Sequence, residues 1–463
     1  MSSRLKNIFK FLLDVKRDEL LKVLLLTFSF FLVIGAYTVA REIKDVVFTT
    51  IVGQNRKYQA YAKIFSMLIL VPALFAHSRL VDILRRHYLL YIYATLYGVI
   101  GLICVFFIGH PTIGLANIVS SPYRLFGWLF YFFIEGYSPL VVSVFWAFAN
   151  SITSPESAKG NYTFMIAGSK IGGILTAAAA CLLLSANIFS DIVNHQILLA
   201  VSSLILLVVP FVIYWLIVKV PGKDMHGYEA AYKIEQERDE NHTGDKKTAL
   251  SGMLSGIFML FKYPYVMGIF GMSFFFEVIN QAIKVENIIF GKSMATTLSG
   301  YTQFLLWQAL LVHVVGFFVV VFGTRALIQA LGERRSLLLI PALTGVSIIG
   351  FVFKRSYTNA IIAFVVTRSV NYAFAVPLRE SLYIPTVKEI QFKTKSWIDG
   401  IGTKFAKMSA SSFNMYTDGL TGQLLWTMQG SFFTISIGLW FVTAYLLGRR
   451  FEKAVARNEV IGS

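Results

Sequence analysis

Long apolar runs, separated by short polar stretches, recur along almost the whole chain. A bilayer core about 30 Å thick is crossed by about 20 residues of apolar helix. Runs of this kind are centred near residues 30, 68, 99, 138, 173, 208, 273, 311, 346, 368, 411 and 438. The pattern predicts twelve membrane-spanning helices, several of them long enough to tilt or to extend beyond the bilayer.

The composition agrees with this pattern. The 463 residues are 56% hydrophobic and only 14% charged, whereas soluble domains contain about 25% charged residues. A soluble core of this size would leave too much apolar surface in water, whereas lipid can cover it. We therefore predict an all-α, multi-pass integral membrane protein.

The basic residues show which way the helices run. The formal net charge is +17, but the cations concentrate in short loops between apolar runs, which is the positive-inside pattern and not a nucleic-acid surface. One set of loops, together with both termini, holds most of them: Arg85, Arg86, Lys159, residues 219–250, Arg334, Arg335, Lys388, Lys393 and Lys395. The alternate loops hold fewer, so both termini are predicted to be cytoplasmic.

One long polar stretch divides the sequence. Residues 221–252 carry charges of both signs without an apolar period, which predicts a cytoplasmic linker between a six-helix half at 1–220 and a second at 253–463. Similar motifs recur at offsets between 237 and 249: KDVVF with KVENI, Ser78-Arg79 with Thr324-Arg325, Glu135 with Glu380, and Lys170 with Lys407. Two parallel six-helix repeats around a midplane site describe the major facilitator architecture.

Charged residues inside the apolar runs are candidates for function, because each costs about 2.5–3.5 kcal/mol at the bilayer centre on insertion scales. The first helix contains Arg41, Glu42, Lys44 and Asp45, and VVFTTIV follows at once. This continuation favours a water-filled cavity inside the helical segment. The alternative is that the charges end the helix at the membrane surface.

The seventh and eleventh helices carry further cations. Lys284 and Glu286 are two residues apart and point in different directions, so Lys284 is the better cavity candidate. The alternative is that it reaches the surface near the helix end. Lys404 and Lys407 share one face three residues apart, with Asp399 nearby. We interpret at least one of these lysines as substrate-binding.

The remaining candidates extend the same chemistry. Lys170, in AGSKIGGIL of the fifth helix, would add to a positive field. Glu135, Arg379 and Glu380 either gate the cavity or brace helices through buried ion pairs. A cavity lined by lysine and arginine attracts polyanions, of which phosphate is the clearest case.

Several activities have no sequence support. The chain has no GxxxxGK[ST] loop, HExxH or GxSxG motif. Cys104 and Cys181 lie in apolar runs and are interpreted as buried hydrophobic residues. We expect no enzymatic activity, cofactor or metal. The expected partners are a small anion and the bilayer, without nucleic acid, and the carrier is expected to be a monomer by analogy with its fold class.

Six motifs, in order along the chain, resemble one known family. They are REIKDVV at 41–47, SPLVVSVFWAFAN at 138–150, SPESAKGNY at 154–162, KYPYV at 262–266, RESLYIP at 379–385 and WIDGIGTKFAK at 397–407. Together they resemble the nucleotide transporters, or ATP/ADP translocases, of intracellular bacteria and plastids. The resemblance implies a twelve-helix carrier in a bacterial cell membrane that exchanges ATP for ADP or takes up nucleotides with protons.

The resemblance also implies site residues. The family's binding lysines in helices one and eleven fall on Lys44 and Lys407, and Asn150 ends the FWAFAN motif. Three acids of the family fall on Ser151, Lys284 and Val376. A carrier of another anion (NAD, a phosphorylated metabolite or an organic anion) therefore stays an alternative, and a membrane scaffold without transport is a third.

Overall fold

The structure, a computed structural model, describes residues 19–153, 155–221, 258–322, 331–383, 385–387, 390, 394–457 and 459–462. These residues place a helix at each of the twelve predicted positions. We number the helices α1 to α12 in chain order. The first half of the series comprises α1 Leu20–Ile51, α2 Arg56–Ile83, α3 Arg86–Gly109, α4 Leu125–Ser151, α5 Pro155–Ser185 and α6 Asp191–Lys219. The second comprises α7 Pro264–Met294, α8 Leu298–Phe322, α9 Glu333–Phe353, α10 at 357–382, α11 at 395–416 and α12 Gly422–Ala456.

Within the described ranges, nine helices are long and apolar enough to cross a membrane. The other three, α2, α10 and α11, each contain side chains that the structure does not describe. The described residues form no strand, and one isolated bridge joins Thr386 to Ile461. The predicted all-α membrane fold is confirmed.

In the part of the chain that the structure describes, a π-helical turn interrupts α4, α10 and α11. Ser138–Val142 interrupts α4, Asn371–Ala375 interrupts α10 and Ile398–Gly402 interrupts α11. A π-turn contains one residue more than the corresponding turn of a regular α-helix, and such turns often lie at functional sites. In α4 the turn includes Pro139, which has no N–H to donate.

The chain forms two compact units that do not follow the order of the sequence. Unit 1 contains residues 1–54, 65–241 and 291–322, and unit 2 contains residues 55–64, 242–290 and 323–463. The division into halves at 1–220 and 253–463 stays a prediction. Of the predicted linker at 221–252, only Pro221 lies among the described residues.

Small residues set the packing of unit 1. A Cβ on Gly172 of α5 would lie 2.3 Å from the carbonyl oxygen of Phe31, so α1 and α5 touch backbone to backbone. Gly35 of α1 approaches Gly172 and Thr176 in the same contact. Membrane helices commonly pack closely through small residues at such crossings. In lipid the hydrophobic effect does not drive helices together, so close van der Waals contact has to do so.

Unit 2 is built around α9, which packs on α10 and α12. Gly345 of α9 meets Ile437 of α12, and Gly448 of α12 meets Arg334. The side chain of Trp440 is fully buried. Ser356 caps the N-terminus of α10 by accepting a hydrogen bond from the Asn359 amide, as serine commonly does at that position.

Candidate anion-binding site

Lys44 of α1 lies at the centre of a charged cluster in unit 1. Its Nζ is 2.8 Å from Oε2 of Glu135 on α4 and 3.2 Å from Oδ1 of the neighbouring Asp45. The amine also lies 4.2 Å from the ring centroid of Tyr131, in a cation–π contact. We call Lys44, Asp45, Glu135 and Tyr131 the Lys44 cluster.

Lys44 and Asp45 of this cluster are enclosed by protein, whereas the side chain of Glu135 is 22% exposed. The side chain of Lys44 is 2% exposed, and Asp45 is equally buried. Helix α1 continues through the charges to Ile51, so they do not end the helix. Since a buried charge is tolerated when a partner satisfies it, the two carboxylates explain how this lysine stands in an apolar helix.

Two further cations of unit 1 lie close to this stretch of α1. Arg41 pairs with the adjacent Glu42, with a guanidinium nitrogen 2.6 Å from Oε1. Lys170 of α5 packs along Gly316 of α8, where a Cβ would lie 3.3 Å from its Cε. Lys170 and Arg41 also interact electrostatically, so the two positive charges act on a common region.

A histidine that the sequence analysis did not single out lies in this region. Nε2 of His313 on α8 is 2.9 Å from the hydroxyl of Thr38 on α1. Its ring fills the space that a side chain on Gly173 of α5 would take. The signal was available, because a histidine in the apolar run LLVHVVGFF is unusual, but apolar context alone does not separate a ligand from a packed residue.

Unit 2 contains a polar face on α7. Ser273, Glu277, Asn280 and Lys284 are spaced four, three and four residues apart and therefore share one side of the helix. We call them the α7 polar face. Oε2 of Glu277 is 3.5 Å from Nζ of Lys407 on α11. Lys407 was predicted from the sequence as a site residue, whereas Glu277 was not.

Helix α10 presents two arginines to the same face. Arg379 donates a 2.8 Å hydrogen bond to Ser273 and lies 3.6 Å from Asp399 of α11. Arg368 donates a 3.3 Å hydrogen bond to Asn280. The predicted buried pairing of Arg379 with Glu380 is not tested, because the side chain of Glu380 lies outside those described.

The two cations next to this face differ. Lys284 is half-buried, at the end of the α7 polar face. Lys404 lies one helical turn before Lys407, and the two like charges act on each other. Lys404 forms no ion pair with any residue that the structure describes.

Exposure of these charges indicates water at the α7 polar face. The side chain of Lys407 is 30% exposed and that of Glu277 is 17% exposed. Charged side chains in apolar helices do not face lipid tails, so they turn toward water or toward a partner. A lysine that is both paired and partly hydrated can exchange its carboxylate for another anion.

Glu286 points away from Lys284, as their spacing predicted, and belongs to a second ion cluster. Its oxygens accept hydrogen bonds of 2.9 and 3.1 Å from Arg56 at the start of α2. A guanidinium nitrogen of Arg355, between α9 and α10, lies 3.6 Å from Oε2 of Glu286. We call Arg56, Glu286 and Arg355 the Glu286 cluster. Arg355 also donates to Gln429 of α12.

One candidate stands apart from the others. Asn150 is exposed near the end of α4, and Glu135 lies fifteen residues earlier in the same helix. At about 1.5 Å per residue the two are separated by roughly 20 Å along the axis. The structure does not bring Asn150 to the Lys44 cluster. Among the described residues, no group of three or more His, Cys, Asp or Glu is placed to hold a metal ion.

Sequence comparisons give one family. The model described as the TLC ATP/ADP transporter matches residues 1–451. The chain is 22% identical over 513 residues to ADP,ATP carrier protein 1 of Chlamydia pneumoniae, covering 97% of this chain and 95% of that protein. It is 21% identical over 503 residues to ADP,ATP carrier protein 1 of Chlamydia trachomatis, covering 97% and 92%.

Solved structures with the same fold are transporters. A D-xylose–proton symporter superposes with a TM-score of 0.59 at 13% identity, covering 93% of this chain and 97% of that chain. The nucleoside transporter NupG gives a TM-score of 0.56 at 12% identity, covering 93% and 99%. At these identities the likeness shows the fold alone, which is that of the major facilitator carriers.

Proposed function

Because the chain belongs to the TLC ATP/ADP transporter family, we propose that it is a secondary carrier of nucleotides that works by alternating access. The observation that carries the proposal is the state of Lys407, a 30% exposed lysine on a membrane helix whose Nζ lies 3.5 Å from the Glu277 carboxylate. Such an amine faces water and is suited to bind an anionic oxygen.

The site residues take distinct roles in this proposal. Lys44 and Lys407 hold the substrate phosphates, since a buried or half-buried amine acts strongly on an anion where water is scarce. Arg41, Lys170, Lys284 and Lys404 add to the positive field. Asn150, distant from Lys44 along α4, is the weakest of the proposed contacts. Arg379 and Asp399 support the α7 polar face from α10 and α11.

The Glu286 cluster suits a gate. Arg56 comes from the first predicted half of the sequence, whereas Glu286 and Arg355 come from the second. Arg56, at the start of α2, and Arg355 belong to the less positively charged side of the predicted topology, so we expect the cluster on the side away from the cytoplasm. Ion pairs that join the two halves at one end would hold that end closed while the other opens.

Loss of the central acid tests the gate. Glu286→Gln keeps the side-chain volume but leaves two arginines facing each other, so the closed end should open more often. Removing one partner of a buried ion pair costs about 3–5 kcal/mol, so we expect uptake to fall about tenfold or more. We also expect a cysteine at the buried position Val285 to react faster with an impermeant thiol reagent added outside.

The matched control breaks a surface pair. Glu452→Gln removes the partner of Arg334 in a largely exposed ion pair at 3.2 Å, and exposed pairs contribute about 0–1 kcal/mol. It should change neither uptake nor thiol labelling. Equal labelling in Glu286→Gln and the parent chain would remove the cluster from the gate.

Substrate identity is tested by uptake and competition. Bacterial cells that express the chain are given radiolabelled ATP, with unlabelled ADP, other nucleoside triphosphates or NAD as competitors. Saturable uptake that ADP competes away is the expected result. Absence of uptake, with the protein present in the membrane, would contradict nucleotide transport.

A second candidate is a related carrier of a different anion, such as NAD, another phosphorylated metabolite or an organic anion. It is favoured by three positions, Ser151, Lys284 and Val376, where the resemblance implies acids. Competition by NAD without competition by ADP would favour this candidate. We further propose, from the positive-inside loops and the family, a monomer in the bacterial cell membrane with both termini in the cytoplasm and no catalytic activity.

A further inference from the structure

Lys44 in unit 1 and Lys407 in unit 2 each pair with a carboxylate, but the two ion pairs differ. Lys44 is fully enclosed, and its Nζ lies 2.8 Å from Glu135 with Asp45 also in contact. Lys407 is 30% exposed, and its Nζ lies 3.5 Å from Glu277. The amine of the first pair is therefore almost fully desolvated and held by two carboxylates, although Glu135 itself is 22% exposed. The second is looser and open to water.

A substrate phosphate and the Glu277 carboxylate offer Lys407 the same chemistry, an anionic oxygen that accepts from its ammonium group. Since the carboxylate is covalently attached and already in place, an incoming anion must displace it. We propose that Glu277 is an internal competitor that occupies Lys407 in the empty carrier and yields this amine to an anionic group of the substrate. The identity of that anion as a nucleotide phosphate rests on the proposed function.

The surroundings of Glu277 provide for its release. Asn280, one turn further along α7, lies with its amide nitrogen 3.5 Å from the Glu277 carboxylate. Lys404 stands one turn before Lys407 and makes no ion pair within the described part of the chain. A carboxylate that leaves Lys407 therefore has a second amine on the same face of α11, so its charge need not be left uncompensated.

The pairing sets the affinity of the site. While Glu277 holds Lys407, part of the binding free energy of the substrate is spent on separating the ion pair. Removing the carboxylate charge while keeping the side-chain volume should tighten substrate binding. This is the opposite of what a residue that merely supports the fold would do, since loss of support weakens binding.

The deciding experiment measures the KM for uptake in Glu277→Gln. Partly exposed pairs contribute about 1 kcal/mol, which corresponds to roughly a fivefold change in affinity, so we expect KM to fall about threefold to tenfold. Glu277→Asp, which withdraws the carboxylate from Lys407, should lower KM by a smaller factor. Unchanged or raised KM in both variants, at normal abundance in the membrane, overturns the proposal.

The matched control is Asp418→Asn. Asp418 pairs with Lys57 at 4.0 Å, and this acid is as exposed as Glu277, but the pair includes no candidate binding residue. Its KM should stay at the parent value. A fall in KM equal to that of Glu277→Gln would show a general effect of charge and contradict the proposal.

A second measurement separates this inference from the identity of the substrate. The purified carrier is titrated with inorganic pyrophosphate, and its thermal unfolding temperature is recorded, because a bound anion stabilises the folded state. Glu277→Gln should reach half of its stabilisation at a lower pyrophosphate concentration than the parent, and the double variant with Lys407→Ala should lose this gain. Equal midpoints overturn the competitor role. Failed nucleotide uptake with shifted midpoints overturns only the nucleotide as substrate.

Discussion

Replacing Lys407 with alanine is expected to abolish nucleotide uptake while the protein still reaches the membrane. A charge-assisted contact contributes about 1.5–3 kcal/mol, and 2.8 kcal/mol corresponds to about a hundredfold loss in kcat/KM. Lys407 is 30% exposed and Glu277 is 17% exposed, so removal of the lysine leaves no sealed cavity, and the remaining carboxylate keeps some contact with water. The fold should therefore survive the substitution.

Lys404→Ala is the matched control, because it removes the same charge from the same helix one turn earlier. We expect it to lower uptake far less. Lys407→Arg keeps the positive charge in a wider, planar group, and it should retain part of the activity, since arginine and lysine differ in geometry at a phosphate. Normal uptake by Lys407→Ala would remove this residue from the binding site.

Replacing Lys44 with methionine is expected to act chiefly on folding. The substitution keeps an unbranched side chain but leaves Asp45 and Glu135 without their common cation, and Asp45 is almost fully buried. Breaking a buried ion pair by removing one partner costs about 3–5 kcal/mol. We expect less protein in the membrane and a lower unfolding temperature in detergent.

A double-mutant cycle distinguishes the role of Lys44 in the ion pair with Glu135 from its role in substrate binding. Lys44→Met combined with Glu135→Gln should recover part of the lost stability, because one of the two stranded charges is gone, while uptake should stay absent. Stability of Lys44→Met equal to that of the parent would contradict the structural role of the Lys44 cluster. Recovery of uptake by the double variant would contradict a direct contact between Lys44 and the substrate.

The positions of the helices could be predicted from the sequence. A helix that crosses lipid must be about 20 residues long and apolar, and the hydrophobic runs show both properties directly. Each predicted centre falls inside an observed helix, including those of α4, α10 and α11, which carry π-turns. The two-residue spacing of Lys284 and Glu286 directs them to different sides of α7, while the role of Lys284 in a cavity stays a prediction.

Pairing between helices could not be predicted in the same way. Lys407 pairs with Glu277, which lies 130 residues earlier in the sequence, and no local pattern connects the two. Glu286 was predicted to take part in a gate or an ion pair, but its partners Arg56 and Arg355 could not be identified from the sequence. Which acid meets which base depends on how the helices pack, and hydropathy carries no information on that.

The three π-turns have a consequence for comparing this chain with its relatives. Each of them, at Ser138–Val142, Asn371–Ala375 and Ile398–Gly402, accommodates one residue beyond the α-helical count, as a single-residue insertion would. A relative without the turn would align only with a one-position gap there. If the gap were omitted, every later position in that helix would be turned by about 100°. Lys404 and Lys407 follow such a turn. A residue of a relative should therefore be matched to these lysines by the helix face on which it lies, and only then by its position in the alignment.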